Sequence, residues 1–107
     1  MMLKPFFIWQ NKVLKRIDPL DVMCLSTEKN YTKVVLSDKS IYMVRTTLAS
    51  AIKKLPPDMF IKISRSVIAS IYFIDDIVRD HLVVDGLPIP IGKGFYKSVI
   101  NQLTILE

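Results

Sequence analysis

The sequence predicts a mainly β fold of about ten short strands with one short internal helix and a C-terminal helix. Three observations carry that prediction. Runs of four to six β-branched and aromatic residues recur along the chain, each bounded by polar turn residues. Asp85-Gly86 sits between two such runs, a strong short-range hairpin signal. Only two stretches carry apolar residues at helical spacing. At 107 residues, half of them apolar, the chain suits one domain over residues 1–107 with one core.

In chain order, Phe6–Trp9 and Val13–Ile17 read as a first hairpin across Gln10-Asn11-Lys12. Asp18-Pro19 breaks the pattern, because proline removes a ladder donor, and Leu20–Leu25 reads as the next strand. Ser26–Asn30 reads as a polar loop. Tyr31–Leu36 and Ile41–Val44 follow as strands joined by Ser37–Ser40. Thr46-Thr47 can cap a helix whose apolar stripe is Leu48, Ala51, Ile52 and Leu55, and Pro56-Pro57 ends it.

Phe60–Ile74 then starts as a strand and breaks at Ser64-Arg65-Ser66, one permanent cation between two hydroxyls, before a second apolar run. A polar crest held between two buried segments presents its arginine with little ordering left for a binding partner to impose. Asp75-Asp76 leads into Ile77-Val78, and Leu82–Val84 pairs with Leu87–Ile91, where Pro88 and Pro90 place the latter strand at a sheet edge. Gly92-Lys93-Gly94 opens a last helix with Phe95, Val99 and Leu103 on one face.

Charge is segregated along the chain. Fifteen Lys and Arg oppose ten Asp and Glu, a net +5. Residues 29–65 carry +6, residues 66–92 carry −3 through four aspartates and Arg79, and residues 93–107 return to +1. One basic binding face with a nucleic-acid partner fits that distribution. The same lysines on merely solvated strand faces are the alternative, above all for Lys39, Lys53 and Lys54.

Other classes find little support. One cysteine, Cys24, excludes a disulfide framework and suits a reducing cytoplasm. The opening Met1–Pro5 lacks the apolar core of a leader, and no apolar run approaches the ~20 residues that span a bilayer. The single histidine, His81, and the absence of metal-ligand spacing give neither catalysis nor a metal a foothold, so the expectation is a non-enzyme without cofactor. Adjacent Asp75 and Asp76 would point to opposite faces of a strand, poor geometry for an acid–base pair.

Three blocks resemble a known family. Leu20–Val34, with its Asn30-Tyr31 opening a strand, resembles the family's first block. Val44–Leu48 together with Phe60–Ser66 resembles its centre, commonly worded Phe-Ile-Arg-Ile-His-Arg-Ser, and Leu87–Ile91 into the last helix resembles its close. The family is the LytTR DNA-binding domain of bacterial response regulators, and the resemblance covers about residues 6–104. It implies small antiparallel sheets stacked in an elongated body. It also implies sequence-specific DNA binding for transcription regulation, with loops from one edge entering successive major grooves and bending the DNA. Carried over, the contact regions are Asn30 and Tyr31, Ser64 and Arg65, and Lys93 with its neighbours.

Double-stranded DNA, as promoter direct repeats, is the implied partner, bound by a pair of copies of an output domain that a receiver or sensory domain controls. Neither of those further domains is in this chain. Ser64 stands where the family often has His, Ser70 where it often has Asn, and Gly92-Lys93-Gly94 where it usually has Ser-Arg-Arg. Lysine is a point charge, so base readout at that last turn is weakened. Lys93, Lys97 and the first amides of the last helix remain an anion site.

Within this reading Arg65 and Asn30 read bases, and Lys29, Lys33, Lys62, Lys93 and Lys97 position phosphates. The alternative for Arg65 is a structural ion pair with an aspartate of 75–80, and for Tyr31 a packing role. At the level of function, the alternative is a β-rich interaction module pairing through Leu87–Ile91.

Overall fold

The computed structural model describes residues 3–107; Met1 and Met2, part of the opening read above for a leader, lie outside them. Strands β1 (Phe6–Gln10) and β2 (Val13–Ile17) form an antiparallel hairpin, with Phe6 opposite Ile17 and Gln10 opposite Val13. Asn11 and Lys12 in its turn have φ of 49° and 66°, the left-handed pair that matches strand twist in a two-residue hairpin. One face of the hairpin buries Ile8 and Ile17, while Phe7, Trp9 and Leu14 stay exposed on the other.

Both boundaries of the third strand differ from the sequence reading. Pro19–Asp21 is a single 3-10 turn, capped by the Asp18 carboxylate accepting from the Leu20 amide at 2.9 Å. Proline at the first position of that turn fixes its φ, so the strand expected from Leu20 starts at Val22. That strand, β3 (Val22–Glu28), runs straight through Ser26-Thr27-Glu28, which their polarity marked as loop. The ladder to β4 (Tyr31–Leu36) is made by the backbone, pairing Ser26 with Lys33, Thr27 with Thr32 and Glu28 with Tyr31. Only Lys29 and Asn30 remain as turn.

With β5 (Ile41–Val44), β6 (Phe60–Lys62) and β7 (Val67–Ser70), these strands make a five-stranded antiparallel sheet in the order β5-β4-β3-β7-β6. A further sheet has the order β10-β9-β8, built from β8 (Ile74–Ile77), β9 (His81–Val84) and β10 (Leu87–Pro90). Asp75 and Asp76 thus lie within β8 instead of leading to it. The Asp85-Gly86 hairpin is present, with φ of 52° and 81°, and β10 is an edge. Ten strands in three small antiparallel sheets, one internal and one C-terminal helix, and dimensions of 46 × 34 × 25 Å agree with the predicted class.

The single core expected from chain length is two. The five-stranded sheet is covered on both faces. On one side Leu25, Val34, Phe60 and Ile68 pack with Ile8 and Ile17 of the hairpin and with Leu48 and Leu55 of helix α1 (Leu48–Lys54). On the other, Ile61, Ile63 and Ala69 pack with Leu82 and Val84 of the three-stranded sheet, Ile91 just after it and Val99 of helix α2 (Tyr96–Asn101). A sheet buried on both faces needs apolar residues at consecutive positions, which is why Phe60-Ile61 and Ile68-Ala69 do not alternate with polar residues. At ~25 cal/mol per Å² of apolar surface, each large side chain in these layers contributes about 1.5–3 kcal/mol.

Helix α1 begins at the expected cap: the Thr47 hydroxyl accepts from the Ser50 amide at 3.0 Å. Helix α2 begins later than expected. Gly92–Gly94 form a turn, Phe95 is the cap residue without a side-chain bond, and the helix has six residues. So short a helix gathers little macrodipole, which removes its first amides as an anion site.

Candidate nucleic-acid interface

Three turns and one strand-to-helix segment meet at one end of the central sheet. The first is Lys29-Asn30, which closes β3 onto β4. Lys29 holds φ 55°, and both side chains are exposed. Tyr31, the first residue of β4, is 41% exposed, so its ring is neither a core residue nor fully free. Thr32 beside it is 1% exposed and donates its hydroxyl to the Thr46 carbonyl at 2.8 Å. That bond holds the segment Arg45–Thr47 against the first turn, and Lys29, Asn30, Tyr31, Thr46 and Thr47 line one shallow depression.

The crest is the second turn. Ile63, fully buried, donates to the Val67 carbonyl at 3.0 Å and so closes β6 onto β7. Within the crest the Ser66 amide donates to the Ser64 hydroxyl at 3.3 Å. The Thr27 amide donates to the Ser66 carbonyl at 2.9 Å, tying the crest to β3 just before the Lys29-Asn30 turn. Arg65 is exposed and takes part in neither of the side-chain contacts to aspartate found among the described residues, the Lys39–Asp85 ion pair and the His81–Asp80 contact. The expected alternative, a structural bridge from Arg65 to residues 75–80, is therefore absent.

Gly92–Gly94 is the third turn, and it docks on the crest. The Gly92 amide donates to the Ile63 carbonyl at 2.8 Å. A Cβ on residue 92 would lie 2.9 Å from Phe95 Cδ1 and 3.0 and 3.1 Å from Ser64 Cβ and Cα, so any side chain here forces its neighbours to give way. Ser64, Arg65, Ser66 and Lys93 line the groove that results.

The structure thus brings together Lys29, Asn30 and Tyr31, then Ser64 and Arg65, then Lys93. The others sit apart from the turns. Lys33 is inside β4, opposite Ser26 and Met43 and half-buried. Burial pushes the nearby Cys24 thiol up from its ordinary value, and the Lys33 charge pulls it partly back. Cys24 itself is half-buried. Lys62 ends the edge strand β6, opposite Ile68, and is half-buried. Lys97 is exposed on α2 and shares a second depression with Lys93.

Lys39 leaves the basic face altogether, since it pairs with Asp85 in the β9–β10 turn. Sequence reasoning missed Gly92 as the seat of the third turn and Arg79 as a neighbour of Lys93 and Lys97. No composition or spacing signal marks either. Among the described residues no cluster of three or more His, Cys, Asp and Glu could hold a metal, and no helix is long and apolar enough to cross a membrane.

Comparison with known proteins fits this geometry. Residues 12–104 match the LytTr DNA-binding domain family, which leaves β1 outside the matched span. The chain is 30% identical over 95 residues to the sensory transduction protein LytT of Bacillus subtilis (strain 168), covering 83% of this chain and 39% of that protein. It thus spans about two-fifths of the length of that curated relative. A solved domain from Bacillus cereus, described as the LytTr DNA-binding domain of a response regulator, superposes with a TM-score of 0.75 at 22% identity, over 92% of this chain and 94% of that one. Its likeness bears on the fold: the same small stacked sheets and helices. With most of its length matched, the chain belongs to the LytTr DNA-binding domain family.

Proposed function

We propose that this domain reads promoter DNA through the three turns at one end of its central sheet, with Arg65 as the principal base-reading side chain. As a LytTr domain it binds DNA for transcription regulation; the groove-by-groove assignment is the proposal. The observation that carries it is the state of Arg65. It stands exposed on a crest whose flanks are buried and hydrogen-bonded, and no carboxylate among the described residues engages it. A guanidinium so placed can present two parallel donors to guanine O6 and N7. Asn30, on the neighbouring turn, has the donor–acceptor pair that matches adenine.

Lys29 and Lys93 flank these two positions and Lys97 lies beyond them, suited to phosphates. Lys33 and Lys62, at strand positions apart from the turns, add positive charge for phosphates in this reading. Ser64 supports the crest through its bond with the Ser66 amide. In this reading the chain is the output domain of a longer cytoplasmic two-component regulator, controlled by a receiver or sensory domain, and two copies occupy direct repeats. Edge strand β10 suits the interaction-module alternative poorly, because Pro88 and Pro90 have no N–H to offer a partner strand.

The test uses a duplex selected from random DNA by this chain, and a scrambled duplex beside it. Arg65→Ala is expected to cost about 1–3 kcal/mol on the selected site and to leave weak scrambled-site binding nearly intact. Equal loss on both duplexes would make Arg65 a phosphate contact and refute its role in readout.

A further inference from the structure

We infer that Arg79, Lys93 and Lys97, gathered around the Tyr96 ring, form a phosphate-binding cluster that carries the DNA footprint past the crest. The inference rests on the DNA-binding reading above and adds a contact region to it. In sequence, Arg79 belongs to the acidic stretch, among Asp75, Asp76, Asp80 and Asp85. In space it belongs to the basic edge. It lies in the turn between β8 and β9, and its guanidinium carbon sits over the Tyr96 ring, 5.2 Å from the centroid. Lys93, Lys97 and Arg79 line one depression with Asp80.

The nearby carboxylates leave Arg79 without a partner among the described residues. Asp80 Oδ1 is 2.7 Å from His81 Nδ1, and Asp85 is bridged by Lys39. A guanidinium held over a ring face can keep N–H donors available at its edge, and such an edge suits the paired oxygens of a phosphodiester. Lysines 93 and 97 add charge without a geometric demand.

The cluster is also fixed relative to the crest. Ile91 donates its amide to the Asp80 carbonyl at 2.9 Å, and Gly92, the next residue, donates to the Ile63 carbonyl at 2.8 Å. Two consecutive amides thus fasten the closing loop to the β8–β9 turn on one side and to the crest on the other. Lys93 follows directly and lines both depressions. A duplex whose groove receives Arg65 would therefore run its backbone over Lys93 toward Arg79 and Lys97.

The experiment measures binding of the full chain to the selected and the scrambled duplex across a salt series, for the parent and for Arg79→Ala and Arg79→Lys, with a melting temperature for each. Arg79→Ala is expected to weaken both duplexes alike and to lower the salt slope by about 0.9, one phosphate. Arg79→Lys should keep the slope. An unchanged slope in Arg79→Ala, with or without a lower melting temperature, overturns the inference and leaves Arg79 as a packing partner of Tyr96. A loss confined to the selected duplex overturns it too, because that would be base readout. Should the parent chain bind neither duplex at any salt, the DNA-binding reading itself fails, a result separate from these.

Discussion

Replacing Gly92 by alanine tests the docking of the third turn on the crest. The added methyl would lie 2.9 Å from the Phe95 ring, 3.0 Å from Ser64 Cβ and 3.1 Å from Ser64 Cα. A ring edge can turn aside, but Ser64 Cα is backbone at the head of the crest. The turn must therefore lift by a few tenths of an ångström, stretching the 2.8 Å bond from the Gly92 amide to Ile63. Overpacking of this kind costs about 1–3 kcal/mol. Against it stands a stabilisation of about 0.4–1 kcal/mol from stiffening the unfolded chain, since Gly92 does not need a positive φ.

The expected net loss is about 1–2 kcal/mol, a fall in melting temperature on the order of 4–8 °C per kcal/mol for a domain near this size. Binding to the selected duplex should weaken with it, because Lys93 moves with the turn. Ser64→Gly removes one of the two Ser64 contacts, so the double variant should recover part of both losses, a coupling of about 0.5 kcal/mol or more. A Gly92→Ala protein with the parent melting temperature and the parent affinity would refute the docking argument. So would strictly additive losses in the double variant.

Two further outcomes follow from buried groups. Thr32→Val keeps the shape of a fully buried side chain but strands the Thr46 carbonyl that its hydroxyl now satisfies at 2.8 Å. A urea melt should show a loss of about 1–3 kcal/mol, and an unchanged midpoint would remove that bond from the scaffold of the first turn. Burial raises the Cys24 pKa above the ordinary 9.0, so at pH 8 it holds less thiolate than a free thiol. Alkylation of the folded chain should run slower than that of glutathione, with equal rates as the refuting result. The unfolded thiol ionises first as pH rises past 9.0, so this group's contribution to stability falls in that alkaline window and is constant below it.

What the sequence made legible was whatever depends on near neighbours. The Asp85-Gly86 hairpin, the Thr47 cap and the strand Tyr31–Leu36 were all readable because their signals lie within a few residues. Ser26–Glu28 misread as loop because their place in β3 is set by ladder bonds to β4, which ignore side-chain polarity. The second core was hidden for a related reason: Phe60 and Ile61 face opposite layers that come from opposite ends of the chain. At the interface, Arg65 and Asn30 stood out through charge pattern and resemblance. Arg79 was masked by four neighbouring aspartates, since a charge sum along the chain cannot tell which of them are already engaged by His81 and Lys39.

The two-sided core bears directly on how such an edge could read DNA. Ile63 and Ile68 are both fully buried on either side of Ser64–Ser66, and they belong to different layers. The crest is therefore clamped from both faces of the sheet, as a loop on a one-sided sheet would not be. Backbone bonds then join it to the first turn through Thr27 and to the third through Gly92. Three turns fastened to one frame lose little freedom on binding, so less of each contact's energy is spent on ordering the protein. The same frame leaves them little room to adjust to a straight duplex. In the proposed reading the accommodation would fall on the DNA, and the ease with which a given sequence bends would enter specificity alongside the side chains that touch it. On that argument, positions between the contacted grooves should carry sequence preference even where no side chain reaches a base.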